Sequence, residues 1–314
     1  MPECIIAVEE AFREFALGTA RVPHRVSLPI PVQEGWLGVM PSFLAHAGSL
    51  TTKIVTVYPH NSTTRNIPNV LAAIILNNIE TGRVEAVMDG SQITAMRTGA
   101  VSGVATKYLA RDNANRVGLF GAGVQARKQL QAIREVRKID SVSVYDTNKE
   151  LAKNLAVEAS AQAAVTVSVA ETADEVIQNC DIIVTATTSS NPVFNGRLLQ
   201  PGTHINAIGA FTPSTREVDS ATVATSKIVV DSIEAALEEA GDIVIPIREG
   251  VIQREDIWAE LGEIVTGKKR GRTSEEERTL FKSVGLGIQD AAVGKFVFQK
   301  AQSMGVGTQV DLEE

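Results

Sequence analysis

The stretch Arg116-Val117-Gly118-Leu119-Phe120-Gly121-Ala122-Gly123-Val124-Gln125-Ala126 decides the fold. Its first five residues read as a strand, and Ala126 to Val136 reads as a helix with Leu130, Ile133 and Val136 on one inward stripe. Between them stands Gly-x-Gly-x-x-Ala. The first glycine permits the tight turn, the second lets the backbone approach a pyrophosphate, and the small third residue lets helix pack on strand. The helix N-terminus adds free N–H groups and a positive dipole end for phosphates. A glycine pattern alone says little, but a strand before it and a helix after it point to a dinucleotide. The next strand ends at Tyr145-Asp146, with the acid about 20 residues past the fingerprint, where a carboxylate accepts hydrogen bonds from ribose hydroxyls. A 2′-phosphate there would meet like charge, so NAD(H) is expected to be preferred, with NADP(H) possible.

Outward from this point, strand and helix alternate. Ser141–Tyr145, Ala164–Val169, Asp181–Ala186, His204–Ile208 and Lys227–Asp231 read as strands, with helices such as Lys149–Ser160 between them. That order implies a parallel sheet covered on both faces, a Rossmann-type doubly wound α/β unit over residues 113–282. Upstream, Glu3–Leu17 reads as a helix stopped by Gly18, Arg25–Leu76 as short β segments, Asn77–Gly82 as a hairpin loop, and Ile93–Leu109 as a helix. The last helix, Val284–Met304, has no partner of its own in the Rossmann unit. It is expected to return to the first segment, giving a β-rich α+β second domain of residues 1–112 plus 283–314. Ligands of open α/β sheets lie beyond the strand C-termini. The expected cofactor contacts are therefore Gly121, Ala122, Gly123, Val124, Gln125 and Ala126, then Asp146, Thr147, Thr185, Thr187, Ile208, Phe211 and Ser283. The hydroxyls of Thr185 and Thr187 suit an ordinary strand edge equally well.

Composition narrows the classes. The chain has 314 residues, 44% hydrophobic and 21% charged, with a formal net charge of −7, so attraction to nucleic acid or anionic membrane is not expected. The basic run Lys268–Arg272 is balanced at once by Glu275, Glu276 and Glu277. Cys4 and Cys180 stand far apart, and His24, His46, His60 and His204 have no metal-ligand spacing. With no long apolar span and no basic-then-apolar leader, the expected location is the cytoplasm.

The sequence resembles the ornithine cyclodeaminase/mu-crystallin family along nearly its whole length. The resemblance is carried by Gly38-Val39-Met40-Pro41, Leu50-Thr51-Thr52-Lys53, Ala86-Val87-Met88-Asp89-Gly90 and Thr94-Ala95-Met96-Arg97-Thr98. It continues through the fingerprint, His204–Gly209, Ala259-Glu260-Leu261-Gly262-Glu263 and Gly287-Ile288-Gln289-Asp290. The resemblance implies substrate-carboxylate contacts at Arg25, Lys53 and Arg97, a homodimer formed through the β-rich domains, and a small imino or amino acid as substrate. It also implies a strand and short helix ahead of the segment equivalent to Glu3, which this sequence lacks. Three cations suit an α-carboxylate, and a desolvated catalytic Lys53, or a water it orients, is the expected proton source. Where the resemblance implies an Asp, as in the family's cyclodeaminases and the related alanine dehydrogenase, this chain has Phe211, which cannot activate water. The leading expectation is NADH-dependent reduction of a cyclic α-imino acid. Alanine-type dehydrogenation, ornithine cyclodeamination and non-enzymatic NAD-dependent ligand binding of the mu-crystallin kind are the alternatives.

Overall fold

Alternation along Ser49–Val57 organises the first half of the molecule. Thr51, Lys53 and Val55 point inward, while Thr52, Ile54 and Thr56 point out. The computed structural model describes residues 1–162 and 165–311. It places β1 (Ala20–Arg21), β2 (Val26–Ile30), β3 (Gly35–Leu44), β4 (Ser49–Val57), β5 (Val70–Asn77) and β6 (Val84–Asp89) in one antiparallel sheet of order β1-β3-β4-β5-β6, with β2 also paired to β3. Lys53 is opposite Met40 on one side and Ile74 on the other, so it shares their inward face.

The second sheet holds β7 (Arg116–Phe120), β8 (Ser141–Tyr145), β9 (Thr166–Val169), β10 (Ile182–Thr185), β11 (His204–Ala207), β12 (Lys227–Val230), β13 (Ile257–Glu260) and β14 (Thr279–Lys282). All eight run parallel in the order β13-β12-β14-β11-β10-β7-β8-β9, a doubly wound α/β arrangement. Its two covered faces show in the packing. Val117, Leu119, Ile182 and Val184 enter a core with Ile133 and Leu155, whereas Phe120, Ile183 and Phe281 enter the opposite one. That second core runs on without a break to Phe12, Leu44, Ile74 and Val101. The two sheets therefore share apolar material.

Several boundaries differ from expectation. The expected strand start at Ala164 lies outside the described residues, and the strand itself begins at Thr166. The helix expected from Ile93 starts at Gly90, because the Asp89 carboxylate caps Ser91 N at 2.8 Å. The last helix starts at Gly287 rather than Val284, so residues 283–286 form an irregular crossover back to the first sheet. That helix then packs on the helix Pro2–Ala16 and against β3 and β4. Strands β13 and β14 were not expected. Strand β14 is only four residues long and ends in a lysine, yet it lies between β11 and β12 near the middle of the sheet.

That lysine is accommodated by a buried partner. Lys282 Nζ lies 2.8 Å from Asp242 Oδ2, both side chains are fully buried, and the ammonium also donates to Ala210 O. Removing one member of such a pair leaves an uncompensated charge in the interior. Lys282→Met should therefore lower stability by about 3–5 kcal/mol. Urea unfolding followed by circular dichroism checks this, and an unmoved midpoint would contradict the pairing.

Candidate active site

Because all strands of the second sheet run parallel, their C-terminal ends share one edge. Along that edge stand Gly121 after β7, Asp146 after β8, Thr187 after β10, Gly209 after β11, Asp231 after β12 and Ser283 after β14. The strand order reverses between β7 and β10, the switch point where open α/β sheets bind ligands. There Gly121 has φ +94°, and a Cβ on it would lie 2.5 Å from Ala186 O. A Cβ on Gly123 would meet no protein atom within 4 Å, so what that glycine keeps clear is the space in front of the loop. Val124 opens the helix and is exposed, Gln125 carries a buried Oε1 without a partner among the described residues, and Ala126 packs into the core. Asp146 Oδ2 accepts from Ala122 N at 2.8 Å, which sets the carboxylate against the fingerprint loop, and Thr147 beside it is exposed. A tight turn, open space before the second glycine and free helix N–H groups fit a dinucleotide.

The cationic cluster forms where the crossover 283–286 meets the first sheet. Asp290, in the first turn of the last helix, pairs with Lys53 Nζ at 2.7 Å and with Arg97 Nε at 3.0 Å. The Lys53 and Asp290 side chains are each 1% exposed. Arg97 Nη1 donates to Gln289 Oε1 at 2.7 Å, and no described residue accepts from Nη2. Arg25 joins from the other side, its Nε 2.9 Å from Glu239 and its Nη2 donating to the carbonyls of Val284 and Gly285. Gly285, with φ +82°, leaves room for the Arg97 guanidinium 2.5 Å from where its Cβ would be. Burial, helped by the charges of Arg97 and Arg25, lowers the Lys53 pKa to about 7 against the opposing pull of Asp290. For Asp290, burial pushes upward, but Arg97 and Lys53 outweigh it and hold the carboxyl below its ordinary value.

Other expected contacts turn out to be committed elsewhere. The Thr185 and Thr187 hydroxyls donate to a buried acid, Glu217, at 2.9 and 2.7 Å. Ser283 Oγ donates to buried Asp231 at 2.7 Å, and Ile208 is buried in the core, so these residues can offer a ligand chiefly backbone. Phe211 packs against Trp36 of β3 with ring centroids 6.1 Å apart, and Trp36 shares by strand alternation the face that carries Met40 and Lys53. Glu217, Asp231 and Glu239 escaped the sequence reading because single acids in a loop, at a strand end or at a helix end carry no pattern. Asp290 stood inside a quoted motif without an assigned role.

The sequence matches the profile of the ornithine cyclodeaminase/mu-crystallin family over residues 1–305. The chain belongs to that family. It is 41% identical over 312 residues to a Delta(1)-pyrroline-2-carboxylate reductase of Bacillus cereus, covering 99% of this chain and 95% of the relative. Among solved structures, the same kind of reductase from Thermococcus litoralis, in complex with NADH and L-proline, superposes with a TM-score of 0.96 at 48% identity, over 98% of this chain and 95% of that one. An archaeal alanine dehydrogenase dimer with bound NAD gives 0.94 at 42% identity, over 99% and 95%. No helix among the described residues of this family member is long and apolar enough to cross a membrane.

The position of Asp146 makes cofactor choice testable. NADH should bind more tightly than NADPH, and Asp146→Ser should narrow or reverse that preference by removing like charge near a 2′-phosphate. Fluorescence titration with both nucleotides checks this, and equal affinity in the unmodified protein would contradict the role of the carboxylate.

Proposed function

We propose that the protein reduces small cyclic α-imino acids of the pyrroline-2-carboxylate type with NADH. The observation that carries this reading is the buried Lys53–Asp290–Arg97 cluster at the edge of a dinucleotide-binding sheet, with Lys53 near neutrality. NADH, when bound, supplies the hydride that the imine carbon gains. The chain's own residues do the rest. Arg97, with Nη2 free of described partners, and Arg25 beside it present cationic donors to the substrate carboxylate. Lys53, desolvated and poised near pH 7, gives a proton to the imine nitrogen, so that C=N becomes CH–NH. Asp290 fixes both cations in place, as the third member of the cluster. The wall of Phe211 and Trp36 suits an apolar ring and offers no group to expel ammonia.

In this reading residues 1–112 with 283–314 form the substrate-binding and dimerisation part, and residues 113–282 seat the cofactor. Ile54, Leu71 and Val87 lie exposed on the outward face of the first sheet, opposite to Lys53. A second copy of the chain covers that face, in keeping with the dimer of the archaeal relative. Light scattering at micromolar concentration should give twice the chain mass; a single-chain mass would remove the proposed interface.

Four further outcomes are expected. Lys53 carries its proton below its pKa and loses it above, so kcat/KM for the imine should fall as pH rises past about 7. Lys53→Met should cut kcat on the order of a hundredfold and abolish that alkaline limb; a near-normal kcat across pH would make Lys53 a binding cation only. Arg97→Lys keeps the charge but loses the fork, and should chiefly raise KM for the imine. Ornithine should be a poor substrate. Ammonia and proline released from ornithine with NAD, at rates rivalling imine reduction, would overturn the reading of Phe211.

A further inference from the structure

Of the buried acids that the proposed chemistry leaves unused, Glu217 gathers the loops nearest the strand-order reversal. Glu217 belongs to the loop after β11 and is fully buried against the loop after β10. Its Oε1 accepts from Thr187 N at 2.6 Å and Thr187 Oγ1 at 2.7 Å. Its Oε2 accepts from Thr185 Oγ1 at 2.9 Å and Gly209 N at 2.6 Å. Beneath it, the Glu217 and Val218 N–H groups donate to Asp242 Oδ1 at 2.7 and 2.9 Å, and Asp242 pairs with Lys282, which reaches back to Ala210 O. The result is a closed ring of contacts joining 185–187, 209–210, 217–218, 242 and 282.

Two of the four donors are backbone N–H groups, which cannot rotate away. An ionised carboxylate accepts from all four, whereas a carboxamide sets its own N–H₂ against at least one. A buried carboxylate whose direct donors are all neutral is a costly way to brace two loops, since apolar packing holds loops together without desolvating a charge. What it adds is a fixed spacing. Those two loops cap β10 and β11, next to the strand-order reversal where a dinucleotide is bound.

We propose that Glu217 is a positioning residue for the cofactor, holding the loops after β10 and β11 at the separation that NADH requires. This rests on the reading that the strand edge seats NADH. Asp231 on the same edge gives the contrast. It accepts from Ser283 Oγ, Val284 N and Gly285 N, and so braces the crossover whose carbonyls hold Arg25. Its loss should disturb the substrate side instead.

The test is NADH binding by fluorescence titration, with urea unfolding of each variant alongside. Glu217→Gln should raise the NADH Kd about tenfold or more, and Glu217→Asp, which keeps the charge, should recover part of that loss. Asp231→Asn should leave the NADH Kd within about twofold while raising KM for the imine. A Glu217→Gln protein that unfolds more readily but binds NADH as tightly as the unmodified one would overturn the proposal, because a purely structural brace moves stability alone. If Glu217→Gln does not fold, Thr187→Val decides by deleting one donor: a raised Kd supports the proposal and an unchanged one overturns it. The titration needs no imine. Tight NADH binding without imine reduction would therefore sink the proposed reaction and leave the role of Glu217 to be judged on its own.

Discussion

Two cations that repel each other stand on one buried carboxylate. Asp290 receives Lys53 from β4 and Arg97 from the helix Gly90–Leu109, and it belongs to the helix Gly287–Met304. Three elements distant in sequence are thereby fixed to one point. At an effective interior dielectric near 20, opposite charges about 4 Å apart attract by roughly 4 kcal/mol, while each charge alone would be costly to desolvate. The cluster is stable only as a set. The same balance keeps Lys53 titrating near neutrality, because burial and Arg97 press its proton off while Asp290 holds it on.

Acids organise the rest of the strand edge as well, each by collecting donors. Asp146 takes Ala122 N, Glu217 takes the loops after β10 and β11, and Asp231 takes the crossover after β14. All three accept from backbone N–H groups just past strand ends, where ladder partners run out.

Much of this was legible in the sequence. The parallel sheet was readable because Val117, Leu119, Val142 and Val144 alternate with the period of strands and the fingerprint marks its first crossover. Lys53 and Arg97 were readable chiefly through the family resemblance, with Lys53 also marked by its place in an otherwise apolar and hydroxyl-bearing strand. The partner itself was not. Asp290 follows a run of glycines and apolar residues at a helix start, where an acid is ordinary. Strand β14 was missed because four residues between Arg278 and Ser283, ending in a lysine, carry no measurable period. Its pairing with β11 on one side and β12 on the other, with Lys282 fully buried, reveals the strand as interior. Thr185 and Thr187 were noticed, but a hydroxyl in a sequence does not say which way it points.

The position of β14 has a consequence for the order in which the molecule is made. During synthesis β11 and β12 emerge well before residues 279–282, yet β14 must lie between them. Until it arrives, two interior strands present unpaired edges, a state open to pairing with other chains. Asp290 follows within a few residues, so sheet closure and assembly of the Lys53–Arg97 cluster are nearly one event. A nascent chain shorter than that has neither a sealed sheet nor a neutralised pair of cations, and its folding to the native state waits on that segment.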